Sequence, residues 1–294
     1  VKKIILYSLA VLLLAFGIWG YKLVWGKPFN IDHFFDRYLI GTVIAEPEIL
    51  TLLGAVDNTI LDFHSHKLTD ASPQHTYKGL ERNRKYLETL NSYNRERLSG
   101  QKAITYDMVE WLLESNAEGG RWAFHDFPVN QTFGIQSRLP DFMTTNHQII
   151  NQKSAENYIK RLRAFESKFD QVRESVSYRA ERGVIPPRFV IAHVLREMNE
   201  FMNQPAEENP LYENTGMPMG NVVSEIERYI VMPGQALAYK VGMLHIQNLR
   251  TEAESRLGNS FDVAEFHDMI LMNGGLPLEV LSGVAESWTS ENSN

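Results

Sequence analysis

The tightest grouping of chemistry-bearing residues in this chain is His64-Ser65-His66, with Asp62 two positions earlier. A His-x-His pair is a common metal bite, and a neighbouring carboxylate can orient a ligating imidazole. Two enzyme plans use such a pair. A deubiquitinase-like zinc site calls for a Ser eight residues after the second His and an Asp three beyond it, but Gln74 and Tyr77 stand there. An amidohydrolase sets the pair at a strand end in a barrel of alternating strands and helices, and no such alternation is present. His64 and His66 therefore remain weak metal candidates, expected to sit in a surface turn. His193 and Glu197 lie four apart on one helix face, a second spacing that can hold a metal, whereas Glu265 and His267 point in different directions. None of the nine His residues is followed by Glu. HExxH is thus absent, as are a GxSxG elbow, a phosphate loop and a Rossmann fingerprint.

A second grouping lies in Glu225–Gly242, EIERYIVMPGQALAYKVG. Pro233-Gly234 joins two helical runs, and Pro suits the first turn of the second, where its missing N–H costs nothing. Gln235 and Tyr239 then share a face near the positive end of the new helix. Together with Arg228 and Tyr229 they could grip a carbonyl or carboxylate; capping and packing at a helix–Pro–helix corner explain the same residues.

The elements that must position these residues are helical. Asn30 or Asp32 can cap a helix carrying Phe34, Phe35, Tyr38 and Leu39, and Glu46-Pro47 opens another that Gly54 stops. Ser72-Pro73 begins a longer helix reaching Leu98. Thr105 caps the next, which ends at Gly119-Gly120. Residues 121–140 read as an aromatic loop with an Asn130-Gln131-Thr132 sequon. From Ser154 an apolar stripe (Tyr158, Leu162, Phe165, Phe169, Val172, Val176) predicts one helix to Gly183, its Arg, Lys and Glu residues forming a solvated face. Pro186-Pro187 precedes another, holding Val190, Val194, Leu195, Met198 and Phe201. After 204–220, which has no periodicity, a long helix runs to Leu257, Asp262 caps a shorter one, and Pro277 starts the last. The fold class is all-α.

Ile4 to Trp25 is nearly continuous apolar sequence with one charge, Lys22, and can cross about 30 Å of hydrocarbon as an uncleaved anchor at the cytoplasmic membrane. A cleaved signal peptide is the competing reading. The main domain is then extracytoplasmic. Residues 29–294 hold 25 basic and 36 acidic residues, a net charge of −11. Such a domain repels nucleic acid and anionic lipid. Zero Cys excludes a disulfide framework and thiolate chemistry. The divisions expected are 1–28 (anchor), 29–210 and 219–294 (helical regions), with 211–218 between them.

The Glu225–Gly242 motif, with Phe261-Asp262, Phe266-His267-Asp268 and NGGLPLEVL from Asn273 to Leu281, resembles the C-terminal end of a bacterial family known as domain of unknown function 885. Residues from Asn157 to Phe165 and GVIPPRFVI, from Gly183 to Ile191, resemble its N-terminal half. The resemblance implies exported or membrane-anchored, mostly helical proteins related to HExxH zinc metallopeptidases. It also implies a large central segment with an HExxPGHH motif between Pro210-Leu211-Tyr212 and Thr215-Gly216-Met217. Only Glu213 and Asn214 stand there in this chain. By resemblance, Tyr229 and Tyr239 would support an oxyanion, with Gln235 and Arg228 beside them. Full-length relatives would bind zinc, and none is expected here. The implied function is a catalytically inert relative of a metallopeptidase. The alternatives are a binding or scaffold module that self-associates or holds a peptide-like partner, and a hydrolase using an unfamiliar site such as His64 and His66.

Overall fold

The computed structural model describes residue 14 and residues 16–54, 56–203 and 235–293. Among them every regular element is helical and there is no strand. The chain divides into two compact units, Val1–Tyr93 with Gly120–Glu213, and Asn94–Gly119 with Asn214–Asn294. No helix among the described residues is long and apolar enough to cross a membrane. The expected span is therefore not found, and residues 1–13 and 15 of its stretch lie outside the description.

The first unit opens with α1 (Ile31–Ile44), whose N-terminus is capped by Asn30 Oδ1 accepting from Asp32 N. The short α2 (Pro47–Leu53) begins on Pro47 and ends at Gly54, whose left-handed φ of 60° favours glycine. α3 (Pro73–Asn91) is capped by Ser72 accepting from His75 N. It stops at Asn91 rather than Leu98, because Asn94 caps a separate 3-10 turn over Arg95–Arg97. Phe34 and Leu90 are fully buried, and Tyr38, Tyr86 and Tyr93 surround Phe34.

Residues 121–140 are not all loop. α5 (Ile135–Thr145) forms with Pro140 inside it. An interior Pro costs about 3 kcal/mol. Leu139, Phe142 and Met143 bury on that helix against Leu68, Ile135, Tyr158, Phe165 and Phe169. At about 1.5–3 kcal/mol per buried side chain, this outweighs the proline. The sequon asparagine before it is 6 % exposed. Its Nδ2 donates to Phe127 O, and its Oδ1 accepts from Thr132 N and Phe133 N, so Asn130 ties the loop and offers no free amide.

Gly134 closes that loop with no room for a side chain. A Cβ there would lie 2.3 Å from Asn130 O and 2.6 Å from Asn130 N, both main-chain atoms. Gly134→Ala is expected to lower stability by about 2–3 kcal/mol, read as a shift of the urea midpoint. A change below about 0.5 kcal/mol, the level of a neutral surface substitution, would show the loop to be pliable.

The single helix expected from Ser154 is two, α6 (Gln152–Arg163) and α7 (Phe165–Ala180), hinged at Ala164. Asn151 caps α6, and Ser154 is its partner in a capping box. The expected solvated face is corrected as well. The residues that α6 buries are Ser154, Asn157 and Arg161, and α7 buries Lys168, Ser175 and Arg179 beside Val172, while Leu162 is 42 % exposed. The interior of this unit is strongly polar. α8 (Arg188–Asn203) buries Val190 and Val194 and leaves Leu195 and Met198 exposed.

The second unit has the more ordinary core. α4 (Gln101–Gly119) starts one turn before Thr105, whose hydroxyl bonds back to Gln101 O instead of capping. α9 (Gln235–Leu257), α10 (Val263–Leu271) and α11 (Leu278–Glu291) follow. Asp262 accepts from Ala264 N and Glu265 N at the start of α10. α11 packs on α9, α10 and α4. Leu249, Ala253, Phe266, Met269, Leu281 and Ala285 form the centre.

Candidate functional site

Between Gly54 and Ser72 the chain makes a compact loop organised by one carboxylate. Asp62 Oδ2 accepts from Ser65 Oγ at 2.7 Å and from Asn58 N at 3.3 Å, and its Oδ1 accepts from Ser65 N at 3.1 Å. Asn58 has a φ of 60°, a turn conformation that asparagine tolerates. This folding turns His64 inward, where it is 0 % exposed. The expectation of a surface histidine is overturned. A free surface imidazole needs no local carboxylate scaffold, and here three bonds to Asp62 build one.

His64 Nε2 lies 2.6 Å from Asp57 Oδ1, and His64 Nδ1 lies 3.5 Å from Asp62 Oδ1. Neither approach is aligned as a full hydrogen bond, although both ring nitrogens are buried. Burial holds the Asp57 carboxyl above the usual carboxylate range, and burial likewise holds His64 below the ordinary histidine value. Burial also opposes ionisation of Asp62, but the Ser65 and Asn58 bonds outweigh it and keep its pKa low. His66 is pushed down by burial and then by Lys67 and Lys160.

Arg161 binds this loop to α6. Its guanidinium is 0 % exposed and donates from Nε to Lys67 O, from Nη1 to His147 Nδ1, and from Nη2 to Thr51 Oγ1 and His64 O. Asn157 donates to Ser65 Oγ at 2.8 Å, and His147 Nε2 donates to Ser154 O at 3.2 Å. Burial pushes Arg161 down to about 10, while Glu48, Asp57 and Asp62 pull it upward. Beside it Lys168 pairs with Glu48 at 3.1 Å. Two cations and three carboxylates therefore share the interior. One proton on the Asp57–His64 pair would offset the remaining charge.

Asp57, Asp62 and His64 can bring one ligand atom each within 4.8 Å of one another. Among the described residues this is the one such His and carboxylate group, and His66 is not part of it. Zinc fits it poorly. Tetrahedral bonds of about 2.1 Å place ligand atoms about 3.4 Å apart, whereas His64 Nε2 and Asp57 Oδ1 stand 2.6 Å apart. That spacing is shorter than a shared tetrahedral metal allows. The cavity lined by Thr51, Asp57, Ser65, His147 and Ser154 has only about 10 Å³ of accessible space. One water is the most it admits.

The other candidates belong to other elements of the chain. Gln235 Nε2 donates to Tyr239 Oη at 2.9 Å on the first turn of α9, and Tyr239 is 72 % exposed. Arg228 and Tyr229 fall outside the described residues. His193 and Glu197 share a face of α8, where burial raises the Glu197 carboxyl. Sequence reasoning missed Asp57, His147 and Arg161. Only Arg161 left a signal, since Ser154, Asn157 and Arg161 recur at the three-four spacing of a buried helix face.

A family model described as "Bacterial protein of unknown function (DUF885)" matches residues 47–213 and 209–284. The chain belongs to the DUF885 family. The loop of Asp57, Asp62 and His64 and the Arg161 that binds it lie within the first matched segment. Among solved structures the chain is similar to the crystal structure of "the putative lipoprotein from Colwellia psychrerythraea", at 21 % identity and a TM-score of 0.25. The match covers 92 % of this chain and 54 % of that one, so the chain spans about half the length of that protein. None of the curated proteins matches it.

Proposed function

We propose that this chain is a binding member of the DUF885 family that lacks the zinc-peptidase machinery of its longer relatives and holds a peptide-like partner without cleaving it. The apolar run 4–25 would keep it at the outer face of the cytoplasmic membrane. The observation that carries the reading is the sealing of the His64 loop. With HExxH absent from the sequence, that loop is the His and carboxylate group of three members among the described residues, and about 10 Å³ beside it leaves a substrate no entry. The two matched segments meet at 209–213, where the central segment of longer relatives would enter, which also supports the reading.

The test is to purify the chain with added zinc, measure metal per chain by plasma mass spectrometry, and follow a mixed peptide pool by mass spectrometry. Zinc well below one per chain and an uncleaved pool are expected. One zinc per chain, with cleavage that falls at least 100-fold in Tyr239→Phe, would establish a peptidase instead.

A further inference from the structure

A groove of about 850 Å³ opens in the first unit between the residues that precede α1, α1 itself and α3. Its apolar lining comes from Leu23, Val24, Trp25 and Ile40. Trp25 is 75 % exposed and Ile40 55 %, so this surface is left uncovered. Arg37, Lys78, Arg82 and Lys85 stand along it against two acids, Asp36 and Glu81. Lys85 pairs with Glu81 at 2.7 Å. Arg37 donates to the Gly26 and Leu23 carbonyls, and its buried Nε–H has no acceptor. Cations thus exceed acids locally, in a chain whose residues 29–294 carry a net −11.

An apolar trough beside a local excess of cations matches an amphiphile with an anionic head. The neighbouring surface suits the same partner. Phe16, Trp19, Tyr21 and Phe29 are all at least 40 % exposed, and Lys22 lies 4.3 Å over the Phe29 ring. Aromatic rings mixed with lysine are the side chains that settle at the headgroup level of a bilayer. Lys and Arg held there are attracted to anionic headgroups.

We propose that this groove binds one anionic phospholipid, its acyl chain along Leu23, Val24 and Ile40 and its phosphate near Arg37, Lys78 and Arg82. The proposal rests on the reading that the chain works at a membrane. It is tested with the full chain held in a neutral detergent, so that failure of the anchor to insert leaves the measurement intact. Short-chain phosphatidylglycerol, short-chain phosphatidylcholine and inorganic phosphate are titrated separately, with binding read by native mass spectrometry and tryptophan emission. One saturable phosphatidylglycerol per chain is expected, at least 10-fold tighter than phosphatidylcholine, with no binding of phosphate alone. Lys78→Gln with Arg82→Gln, both on α3, should cut the affinity at least 10-fold, the circular dichroism spectrum serving as the control for folding. If that pair fails to fold, Lys78→Glu alone, at an exposed position, takes its place. Equal binding of the two lipids would reduce the groove to apolar partitioning. Phosphate binding as tightly as phosphatidylglycerol would make it a free-anion site. Charge variants without effect would also overturn the proposal.

Discussion

Arg161→Met is expected to destabilise the first unit by about 3–5 kcal/mol, a large share of the about 5–15 kcal/mol that keeps a typical domain folded. Methionine fills similar volume and carries no charge, so the loss is electrostatic and hydrogen-bonding in origin. The guanidinium spends all three nitrogens on Lys67 O, His147 Nδ1, Thr51 Oγ1 and His64 O, and its carbon lies 5.1 Å from the centre of the Phe142 ring. Without it the part-buried Lys67 O loses its donor, at about 1–3 kcal/mol, His64 O keeps only Lys67 N, and Asp57 and Asp62 lose their nearby cation. Arg161→Lys keeps the charge but not the planar fork, and should recover less than half of the loss. Urea unfolding followed by circular dichroism measures both. A loss under 1 kcal/mol for the methionine variant would mean that the loop is held by something other than this residue.

The second large effect is on pH. His147 accepts from Arg161 at Nδ1 and donates from Nε2 to Ser154 O, an arrangement open only to the neutral ring. A proton on Nδ1 would face another N–H. Burial, the leading cause, and the adjacent guanidinium hold its pKa below the ordinary histidine value. The unfolded chain then takes up its proton first as pH falls through about 6.5. Stability from this residue is complete above that pH and is lost below it, until the folded pKa is reached. The loss is at most about 1.4 kcal/mol per pH unit. His147 is 6 % exposed, so solvent screens little of this. His64 and His66, also lowered by burial, add to the loss with the same sign, while Asp57, raised by burial, opposes it. Comparing urea midpoints at pH 7.5 and 5.5 should show a marked fall in the natural chain and a smaller one in His147→Asn, whose amide oxygen can still accept from Arg161. Equal falls would assign the acid sensitivity to other groups.

Helix starts were the most legible part of this fold, because capping is local chemistry. Asn30, Ser72 and Asp262 each accept from main-chain N–H groups one turn ahead, as their types and positions imply. Elements that depend on distant partners were harder to read. Gly134 and Pro140 signal a loop, and only the packing around Leu139 and Met143 makes that stretch helical. The stripe from Tyr158 to Phe169 does pack, around α5, but periodicity alone gave no sign that the same helices also bury Arg161, Lys168 and Arg179. Charged residues are read as solvated by default, and their compensation here comes from Glu48, Asp57, Asp62 and Asp126, from 53 to 120 residues away for the bonded pairs. His64 was noticed for a motif, whereas its environment is set by Asp57 and by an arginine almost a hundred positions on.

The placement of α4 has a consequence for how the chain acquires its structure. Asn94–Gly119 belongs with the C-terminal residues, and α4 packs on α11, about 170 positions later in the chain. During synthesis at about 5–20 residues per second, α4, on which Tyr106, Val109 and Leu113 are buried, emerges long before α11 does. A segment in that position waits as exposed apolar chain, and contacts closed over such separations form slowly. The first unit meanwhile must join its two pieces around this unfinished insertion. An arrested chain ending before residue 278 would lack α11 and leave α4 without that packing partner.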